Sequence, residues 1–367
     1  MSARLLLPLL LATALTLSAC GAQGTSDGGS GKAQAAPVRT ESLAEATVLD
    51  DPKRHAGTAI VALPDRPLQP ITDDPQPSLP ATVTDVQGTE VTITDTSRVL
   101  ALDLNGTLAR LVAELGMLDS LVGRDTSTTF PEARGLPPVT RSGHDLSAEA
   151  ILDLQPTLII TDTSLGPWNV LLQMREAGIP VVVVDPKRST DNVDALAEQV
   201  GAALGLPAEG EQLGARLASE VAEIRAEIDA VAPSDLTGKL RTVFLYVRGQ
   251  AGVYQLLGGG TGADSLIDAL GLYDISAEIG WNGARPVNDE GILAAQPDLV
   301  LTMANGLDSV GGIDGLLARY PALADTPAGR NRRVVAMNDA DILGFGPRTA
   351  DVLEALALEI YAPADAS

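Results

Sequence analysis

An internal repeat is the sequence feature that most constrains the fold. The segment LSAEAILDLQPTLIITD, which begins at Leu146, aligns without gaps with VNDEGILAAQPDLVLTM, which begins at Val287. In both copies a residue that can cap a helix precedes a short helical segment, and a Gln-Pro pair then leads into an apolar run of strand length. A repeated helix–strand unit of this kind indicates two duplicated lobes.

Strand-like and helix-like segments alternate in both halves of the chain. The runs RVLALD, TLIITD and VVVVD are separated by amphipathic segments such as NVLLQMREAG, and the same order resumes after residue 240. This alternation predicts an α/β protein with mainly parallel sheets covered by helices. Between the halves, the proline-bounded run PAEGEQLGARLASEVAEIRAEIDAVAP predicts one long connecting helix.

These patterns define the predicted boundaries. The N-terminal lobe is predicted over residues 82–206, the connecting helix over residues 207–232 and the C-terminal lobe over residues 233–363. Residues 20–81 are rich in Gly, Ser, Pro and Asp, so we expect a flexible tether with little regular structure there.

The N-terminus has the pattern of a secretory signal. Arg4 is followed by the apolar run LLLPLLLATALTL and then by LSAC, which ends at Cys20, the single cysteine of the chain. This resembles a lipobox, so residues 1–19 are interpreted as a lipoprotein signal peptide and Cys20 as the lipidated residue. The alternative is an ordinary signal peptide cleaved near Ala19. Two acyl chains on Cys20 would give stable anchoring to the outer face of the cell membrane.

Composition and motifs exclude several functional classes. An apolar content of 45% is sufficient for packed cores, and a formal net charge of −23 argues against a nucleic-acid binder. The glycine-rich LLGGGTGADS lacks the GxxxxGK[ST] pattern of a phosphate loop, and predicts instead a close-approach loop before a helix. No constellation suited to catalysis is present in the sequence, so we expect a protein that is not an enzyme.

The stretch RTVFLYVRGQAG predicts a strand that presents a phenol beside a guanidinium. Because side chains alternate along a strand, Val243, Leu245 and Val247 share one face. Tyr246 and Arg248 share the other face, just before a glycine-rich turn. Such a pair is either an aromatic cap with a surface arginine or a functional pair.

Three further residues are functional candidates because of their positions in the sequence. His144 follows Gly143 in the turn before the first repeat helix, where a strand ends and where ligand crevices form in open α/β sheets. Glu149 and Glu290 occupy equivalent positions in the first turns of the two repeat helices. These glutamates either compensate the helix dipoles or serve as docking points for cationic sockets on a partner.

Four blocks of sequence carry a family resemblance that covers roughly residues 82–360. They are SGHDLSAEAILDLQPTLII, YVRGQAGVYQLLGGGTGADSLIDALG, LADTPAGRNRRVVAMN and LGFGPRT. The chain resembles the haem-binding lipoproteins of Gram-positive ABC importers. These belong to the class III substrate-binding proteins, which carry siderophores, cobalamin and haem between two lobes joined by a rigid helix. A carrier for a ferric siderophore or cobalamin is the alternative.

The resemblance implies a ligand set. In the family, the residues matching Tyr246 and His144 ligate haem iron from opposite lobes. A phenolate oxygen suits ferric iron, and a free tyrosine has a pKa near 10, so a neighbouring cation such as Arg248 would favour the phenolate at neutral pH. Arg141 and Arg348 are candidates for pairing with the haem propionates.

The resemblance also implies the partners. Glu149 and Glu290 would dock on an ABC permease that works with its ATPase, and surface haem-binding proteins upstream are a further partner. We expect a monomer that binds ferric haem (protoporphyrin IX) and does not bind nucleic acid.

Overall fold

The computed structural model of the chain describes residues 34–35, 38–141, 143–286 and 288–364. The predicted signal peptide (residues 1–19) and Cys20 lie outside the described residues. Among the helices of the described part, none combines the length and apolar character that a membrane crossing requires.

The strands and helices alternate along both halves of the chain. The strands are β1 (Gln34–Ala35), β2 (Thr58–Val61), β3 (Ala81–Thr84), β4 (Glu90–Ile93), β5 (Val99–Leu102), β6 (Leu158–Thr161), β7 (Val181–Val183), β8 (Arg241–Arg248), β9 (Val253–Leu257), β10 (Tyr273–Asp274), β11 (Ala284–Pro286), β12 (Leu299–Met303) and β13 (Val334–Met337). The α-helices are α1 (Thr107–Val112), α2 (Ala148–Asp153), α3 (Trp168–Glu176), α4 (Val193–Ala203), α5 (Pro207–Val231), α6 (Ala263–Ala269), α7 (Ile275–Glu278), α8 (Asp289–Ala295), α9 (Ala304–Ser309), α10 (Gly312–Arg319), α11 (Pro321–Ala324), α12 (Pro327–Arg330), α13 (Asp339–Ile342) and α14 (Thr349–Tyr361).

Two sheets with parallel strands form the two lobes. In the N-terminal lobe, β5, β6 and β7 are parallel in that order, and the antiparallel hairpin β3–β4 precedes them. In the C-terminal lobe the sheet order is β1-β2-β13-β12-β8-β9-β11, and β10 also pairs with β8. In this sheet the neighbouring strands β1, β2, β13, β12 and β8 pair in parallel. Strand β9 pairs antiparallel with β8, and β11 pairs antiparallel with β9. The predicted α/β class with two lobes is confirmed.

Helix α5 connects the lobes. It extends over Pro207–Val231 where the sequence predicts the connector, and it buries an apolar stripe that includes Leu213, Leu217 and Ile228. Arg225 on this helix forms ion pairs with Asp191 of the N-terminal lobe (3.0 Å) and with Asp268 of the C-terminal lobe (2.9 Å). The helix therefore contacts both lobes through its apolar stripe and through its charged side.

The prediction of a flexible tether through residue 81 is wrong for the segment that contains β2. This strand pairs in parallel with β13, from Thr58 opposite Val334 to Val61 opposite Met337, and Leu43 upstream is buried in the main core. The four residues TAIV alternate and include β-branched side chains, which favour a pleated, half-buried strand. The segment around this short strand is rich in Pro and Asp, so its composition indicated a tether instead of a strand.

The two copies of the repeat have the same helix cap and the same backbone conformation after the helix. In the first copy the Ser147 side chain caps α2, and in the second the Asn288 side chain caps α8. The helices lead to Gln155 and Gln296, both left-handed with φ of 45° and 42°, and then to the parallel strands β6 and β12. The sequence repeat thus corresponds to one repeated helix–turn–strand unit in each lobe.

Candidate functional site

The carboxyl ends of the parallel strands surround a cleft cavity between the lobes. Its volume is 390 Å³, and its walls come from the segments that follow the parallel strands β5, β6 and β7 and from the end of β12. The loop after the antiparallel strand β9 and the residue that follows α13 complete them. The lining residues are Asp103, Leu104, Asn105, Asp162, Ser164, Pro186, Lys187, Arg188, Gly260, Thr261, Met303 and Leu343. This is the position at which open α/β sheets bind ligands.

Tyr246 lies near the carboxyl end of β8 and is not itself among the residues that line this cavity. The strand alternates as predicted: Val243, Leu245 and Val247 belong to one core cluster, whereas Phe244 and the half-buried Tyr246 pack in the other. Tyr246 pairs with Gln255 on β9. The strand therefore places the phenol ring on the face that packs against the main core.

Arg248 stacks on Tyr246. Its Cζ lies 4.5 Å from the centroid of the tyrosine ring, a cation–π contact worth about 0.5–2 kcal/mol. The guanidinium is fixed by Asp339, whose Oδ2 lies 2.7 Å from Nη2. The same nitrogen is 3.5 Å from Met303 Sδ, and Met303 lines the cleft cavity. A positive charge is thus held against the phenol at the edge of the cleft.

His144 lies in an exposed turn of the N-terminal lobe. The turn is closed by a hydrogen bond from Arg141 N to Asp145 O (2.8 Å), and Thr126 Oγ1 donates to Gly143 O (3.0 Å). Across the described ranges, no hydrogen bond, ion pair or ring contact joins His144 to Tyr246. The structure therefore brings Tyr246 and Arg248 together, and it places His144 separately on the other lobe.

The two predicted propionate partners have protein partners in the structure. Arg141 Nη2 lies 3.0 Å from Glu149 Oε2, so this candidate contacts the predicted docking glutamate. Arg348 Nε lies 2.5 Å from Asp351 Oδ2, and its Nη2 donates to Pro64 O (2.8 Å). The pairing of either arginine with a propionate stays a prediction.

A second cavity of 410 Å³ lies at the interlobe boundary, and Arg348 is among its lining residues. Asn105 lines both cavities, and its Nδ2 donates to Leu343 O across the boundary (2.6 Å). Met303 lines the smaller of these two cavities and not the larger, and its Sδ lies 3.5 Å from Arg248 Nη2. We therefore take the smaller cavity as the candidate ligand site.

A group of buried aspartates lies on the N-terminal side of the cleft, and two of them, Asp103 and Asp162, line the cavity. Asp103, Asp125 and Asp162 are buried, and Asp162 Oδ2 is 2.6 Å from Arg188 Nη2. Burial, followed by the neighbouring Asp125 and Asp162, raises the pKa of Asp103 to about 7, whereas Arg188 opposes the rise. Burial raises the pKa of Asp125 as well.

None of the sequence patterns described above predicts this acidic group. A signal was present, because Asp103 and Asp162 directly follow apolar strand runs and Asp125 ends the short run LVGRD. Carboxyl ends of neighbouring parallel strands meet at one edge of a sheet, so these residues could have been placed together.

The comparisons with known proteins identify the class. The cleft between two α/β lobes joined by a helix is the architecture of a substrate-binding protein. Residues 103–340 match the family model described as periplasmic binding protein, and the chain belongs to that family.

Solved structures of haem-binding proteins are similar to this chain. The haem-binding protein HmuT is 41% identical, with 85% of this chain and 99% of that chain covered and a TM-score of 0.79. The periplasmic haem-binding protein RhuT from Roseiflexus sp. RS-1 is 39% identical, with 73% and 98% covered and a TM-score of 0.65. Further HmuT structures carry an arginine, a histidine or a tyrosine replaced by alanine.

A curated relative supports the same class. The uncharacterized ABC transporter substrate-binding lipoprotein YvrC of Bacillus subtilis (strain 168) is 24% identical over 292 residues, which cover 77% of this chain and 86% of that protein. The predicted resemblance to haem carriers of the class III family is confirmed. These relatives are substrate-binding transport proteins rather than enzymes, as the sequence predicted.

Proposed function

We propose that this protein is an extracytoplasmic haem-binding lipoprotein, which captures ferric haem in the cleft between its lobes and delivers it to an ABC permease. The haem is cargo. The observation that carries the proposal is the contact between Tyr246 and Arg248, held by Asp339 at the edge of the cleft.

Tyr246 is the proposed iron ligand from the C-terminal lobe. A phenolate is a hard oxygen donor that suits ferric iron, and tyrosine is an established axial ligand of haem. Arg248 lies 4.5 Å from the ring centroid, so its charge would stabilise an iron-bound phenolate. Asp339 fixes the guanidinium, and in the described part of the chain no hydrogen bond joins Asp339 to Tyr246.

His144 is the proposed ligand from the N-terminal lobe. Its turn follows the isolated bridge residues Pro138 and Thr140 rather than a strand, and His144 is exposed. The alanine variants of HmuT concern a tyrosine, a histidine and an arginine, the same residue types as Tyr246, His144 and Arg248.

The proposed location and delivery rest on the N-terminus and the repeat. Lipidation of Cys20 would hold the protein at the outer face of the membrane, and the relative YvrC is named a lipoprotein. Glu149 and Glu290 are both exposed in the first turns of repeat helices, one on each lobe. They are the proposed contacts with basic residues of the permease.

The test is an absorbance titration of the protein lacking residues 1–20 with ferric haem. We expect a saturable Soret shift at one equivalent. Tyr246→Phe keeps the ring and removes only the phenol oxygen, so the shift should be lost. The matched control is Tyr254→Phe, because Tyr254 lies on the neighbouring strand β9 in an edge contact with Tyr320 (4.9 Å) and should leave the titration unchanged.

His144→Ala decides between one and two protein ligands. A changed spectrum with retained binding indicates that His144 occupies the second axial position. An absence of any saturable shift in the wild-type protein would reject the haem proposal, and ferric siderophores and cobalamin should then be offered to the same protein.

A further inference from the structure

The lining of the smaller cavity has an apolar part and a cationic part. Leu104 of the N-terminal lobe is 42% exposed and lines the cavity, as do Met303 and Leu343 of the C-terminal lobe. The cations of the lining are Lys187 and Arg188, which follow β7. Strand β7 is the edge strand of its sheet and lies two positions from β5, which precedes Leu104. The positive charge therefore lies to one side of the apolar part.

Arg188 is already engaged by the N-terminal lobe. Its Nη2 lies 2.6 Å from Asp162 Oδ2, and its Nη1 donates to Asp185 O. The side chain is 9% exposed. The guanidinium is therefore held by the protein and has little surface left for a ligand.

Lys187 differs from Arg188 in both respects. It is exposed, and within the described ranges its ammonium takes part in no ion pair or hydrogen bond. Its backbone is fixed, because Lys187 N donates to Asp185 Oδ1 (2.9 Å) and Lys187 O accepts from Asn192 Nδ2 (3.0 Å). The flexible side chain thus starts from a fixed point at the cavity and carries a charge that is available to a ligand.

The two arginines that the sequence suggested for the propionates lie elsewhere. Neither Arg141 nor Arg348 lines the smaller cavity. Arg348 lines the larger cavity and pairs with Asp351, and Arg141 pairs with Glu149 on the surface of the N-terminal lobe. Among the cations that line the smaller cavity, Lys187 is therefore the one that a carboxylate can reach without displacing a protein partner.

We propose that Lys187 is a specificity-determining residue of the cleft, and that its ammonium binds a propionate carboxylate of the haem. This inference rests on the proposed function and names the cation that recognises the carboxylates of the cargo. An ammonium group offers three N–H donors on a flexible stem, so it can follow a carboxylate at the edge of the cavity. A hydrogen bond between two charged groups is also stronger than a neutral one.

The division of the lining matches the division of the ligand. A haem has an apolar macrocycle and carries both propionates on one edge. Leu104, Met303 and Leu343 can remove the macrocycle from water, while Lys187 lies to one side of them. A ligand of similar shape without carboxylates gains nothing from Lys187, so this residue distinguishes between the two.

The experiment compares two ferric porphyrins on the full-length lipoprotein purified in detergent. One is ferric protoporphyrin IX, and the other is its dimethyl ester, in which both propionates are methylated and uncharged. Soret titrations in the same detergent give the affinity of the wild type, Lys187→Met and Lys187→Arg for each porphyrin. Lys239→Met is the matched control, because Lys239 lies before β8 and outside the lining of the cavity.

The expected result depends on the porphyrin. Lys187→Met should bind ferric protoporphyrin IX about tenfold more weakly than the wild type, because a charge-assisted hydrogen bond is lost. The dimethyl ester should bind equally well to the wild type and to Lys187→Met. Lys187→Arg keeps the charge and should retain most of the affinity for the free acid, and Lys239→Met should match the wild type with both porphyrins.

Two outcomes would overturn the role of Lys187 alone. One is a wild type that binds ferric protoporphyrin IX and a Lys187→Met variant of the same affinity. The other is an equal loss with the dimethyl ester, which would show that Lys187 supports the structure of the cleft and does not bind a carboxylate. A wild type without a saturable shift for either porphyrin would instead reject the haem proposal, and the inference about Lys187 with it.

Discussion

The guanidinium of Arg248 stacks on the ring of Tyr246, with Cζ 4.5 Å from the ring centroid. The two residues are two positions apart on β8, so strand alternation places both side chains on one face. Asp339 then fixes the guanidinium through a 2.7 Å contact. The guanidinium of Arg248 is therefore a positive charge held in a fixed position beside a phenol.

Removal of this charge should weaken haem binding. In Arg248→Met an iron-bound phenolate would lose the neighbouring cation, so we expect haem affinity to fall by about tenfold or more. Soret titrations of the wild type, Arg248→Met and Arg248→Lys measure the effect. Arg241→Met is the control, because Arg241 lies on the same strand and stacks on Tyr273 at 5.4 Å.

Arg248→Lys keeps the charge without the planar group, so it should bind haem better than Arg248→Met. An Arg248→Lys variant as weak as Arg248→Met would contradict an electrostatic role and indicate a steric one.

The buried Asp103 should make stability depend on pH. Its pKa is raised to about 7 by burial and by Asp125 and Asp162, against about 4 for an exposed aspartate. Between these values the unfolded chain loses a proton that the native protein keeps, so the free energy of unfolding falls as pH rises from about 4 to about 7. Asp103→Asn should make this fall shallower, by up to about 1.4 kcal/mol per pH unit.

Urea denaturation at pH 4, 5, 6 and 7 gives the slope. The absolute stability of Asp103→Asn is expected to drop, because Asp103 accepts hydrogen bonds from the backbone N–H groups of Thr107 and Leu108, and the slope is therefore the readout. Asp95→Asn is the control: Ser97 lowers the pKa of the exposed Asp95 through hydrogen bonds, so this carboxyl titrates below the measured window and its loss should leave the slope essentially unchanged. An unchanged slope in Asp103→Asn would show that this carboxyl does not titrate in the window.

The sequence predicted those parts of the molecule that local pattern determines. The repeat around Leu146 and Val287, the alternation of β8 and the connecting helix all follow from periodicity and proline boundaries, and the structure contains each of them. Strand β2 was missed, because a four-residue strand among prolines has too few residues for a pattern and is stabilised by β13, which is distant in sequence.

Contacts between distant residues could not be predicted in the same way. The pairing of Arg248 with Asp339 joins residues on β8 and α13, and the pairing of Arg141 with Glu149 depends on the path of an exposed turn. Neither has a spacing that a sequence pattern reveals.

Arg141→Gln separates two roles for this arginine. If Arg141 contacts a haem propionate, the variant should bind haem more weakly. If its partner is Glu149, as at 3.0 Å in the structure, haem affinity should be unchanged and docking should improve by up to a few-fold, since exposed ion pairs contribute only about 0–1 kcal/mol. Soret titration and uptake at limiting lipoprotein distinguish the two roles.

Charge reversal at both docking glutamates should abolish uptake. Glu149→Arg/Glu290→Arg places a positive charge opposite each basic socket, and like charges at an interface are strongly unfavourable. Haem affinity should be intact, because both residues lie on exposed helix turns outside the cleft lining. The paired control Glu176→Arg changes an exposed glutamate at the end of α3 and should leave uptake unchanged. Normal uptake in the double variant would reject the docking role.

At Gly262 the glycine-rich loop of the C-terminal lobe lies close to the backbone of Arg188 in the N-terminal lobe. A Cβ at this position would lie 2.8 Å from Arg188 O and 2.7 Å from the Phe345 ring, and φ is +86°. Gly262→Ala should therefore force the lobes to shift. Gly260→Ala is the matched control, because Gly260 has a similar φ of +78° but no atom within 4 Å of the added carbon.

The difference between these two variants isolates the close approach. Both carry the cost of a left-handed alanine, about 1–2 kcal/mol, and only Gly262→Ala adds overpacking, about 1–3 kcal/mol more. Thermal denaturation should therefore give a lower Tm for Gly262→Ala than for Gly260→Ala, and haem affinity should fall because Arg188 and Thr261 both line the cleft. Equal Tm values would mean that the loop accommodates the added methyl group without a shift of the lobes.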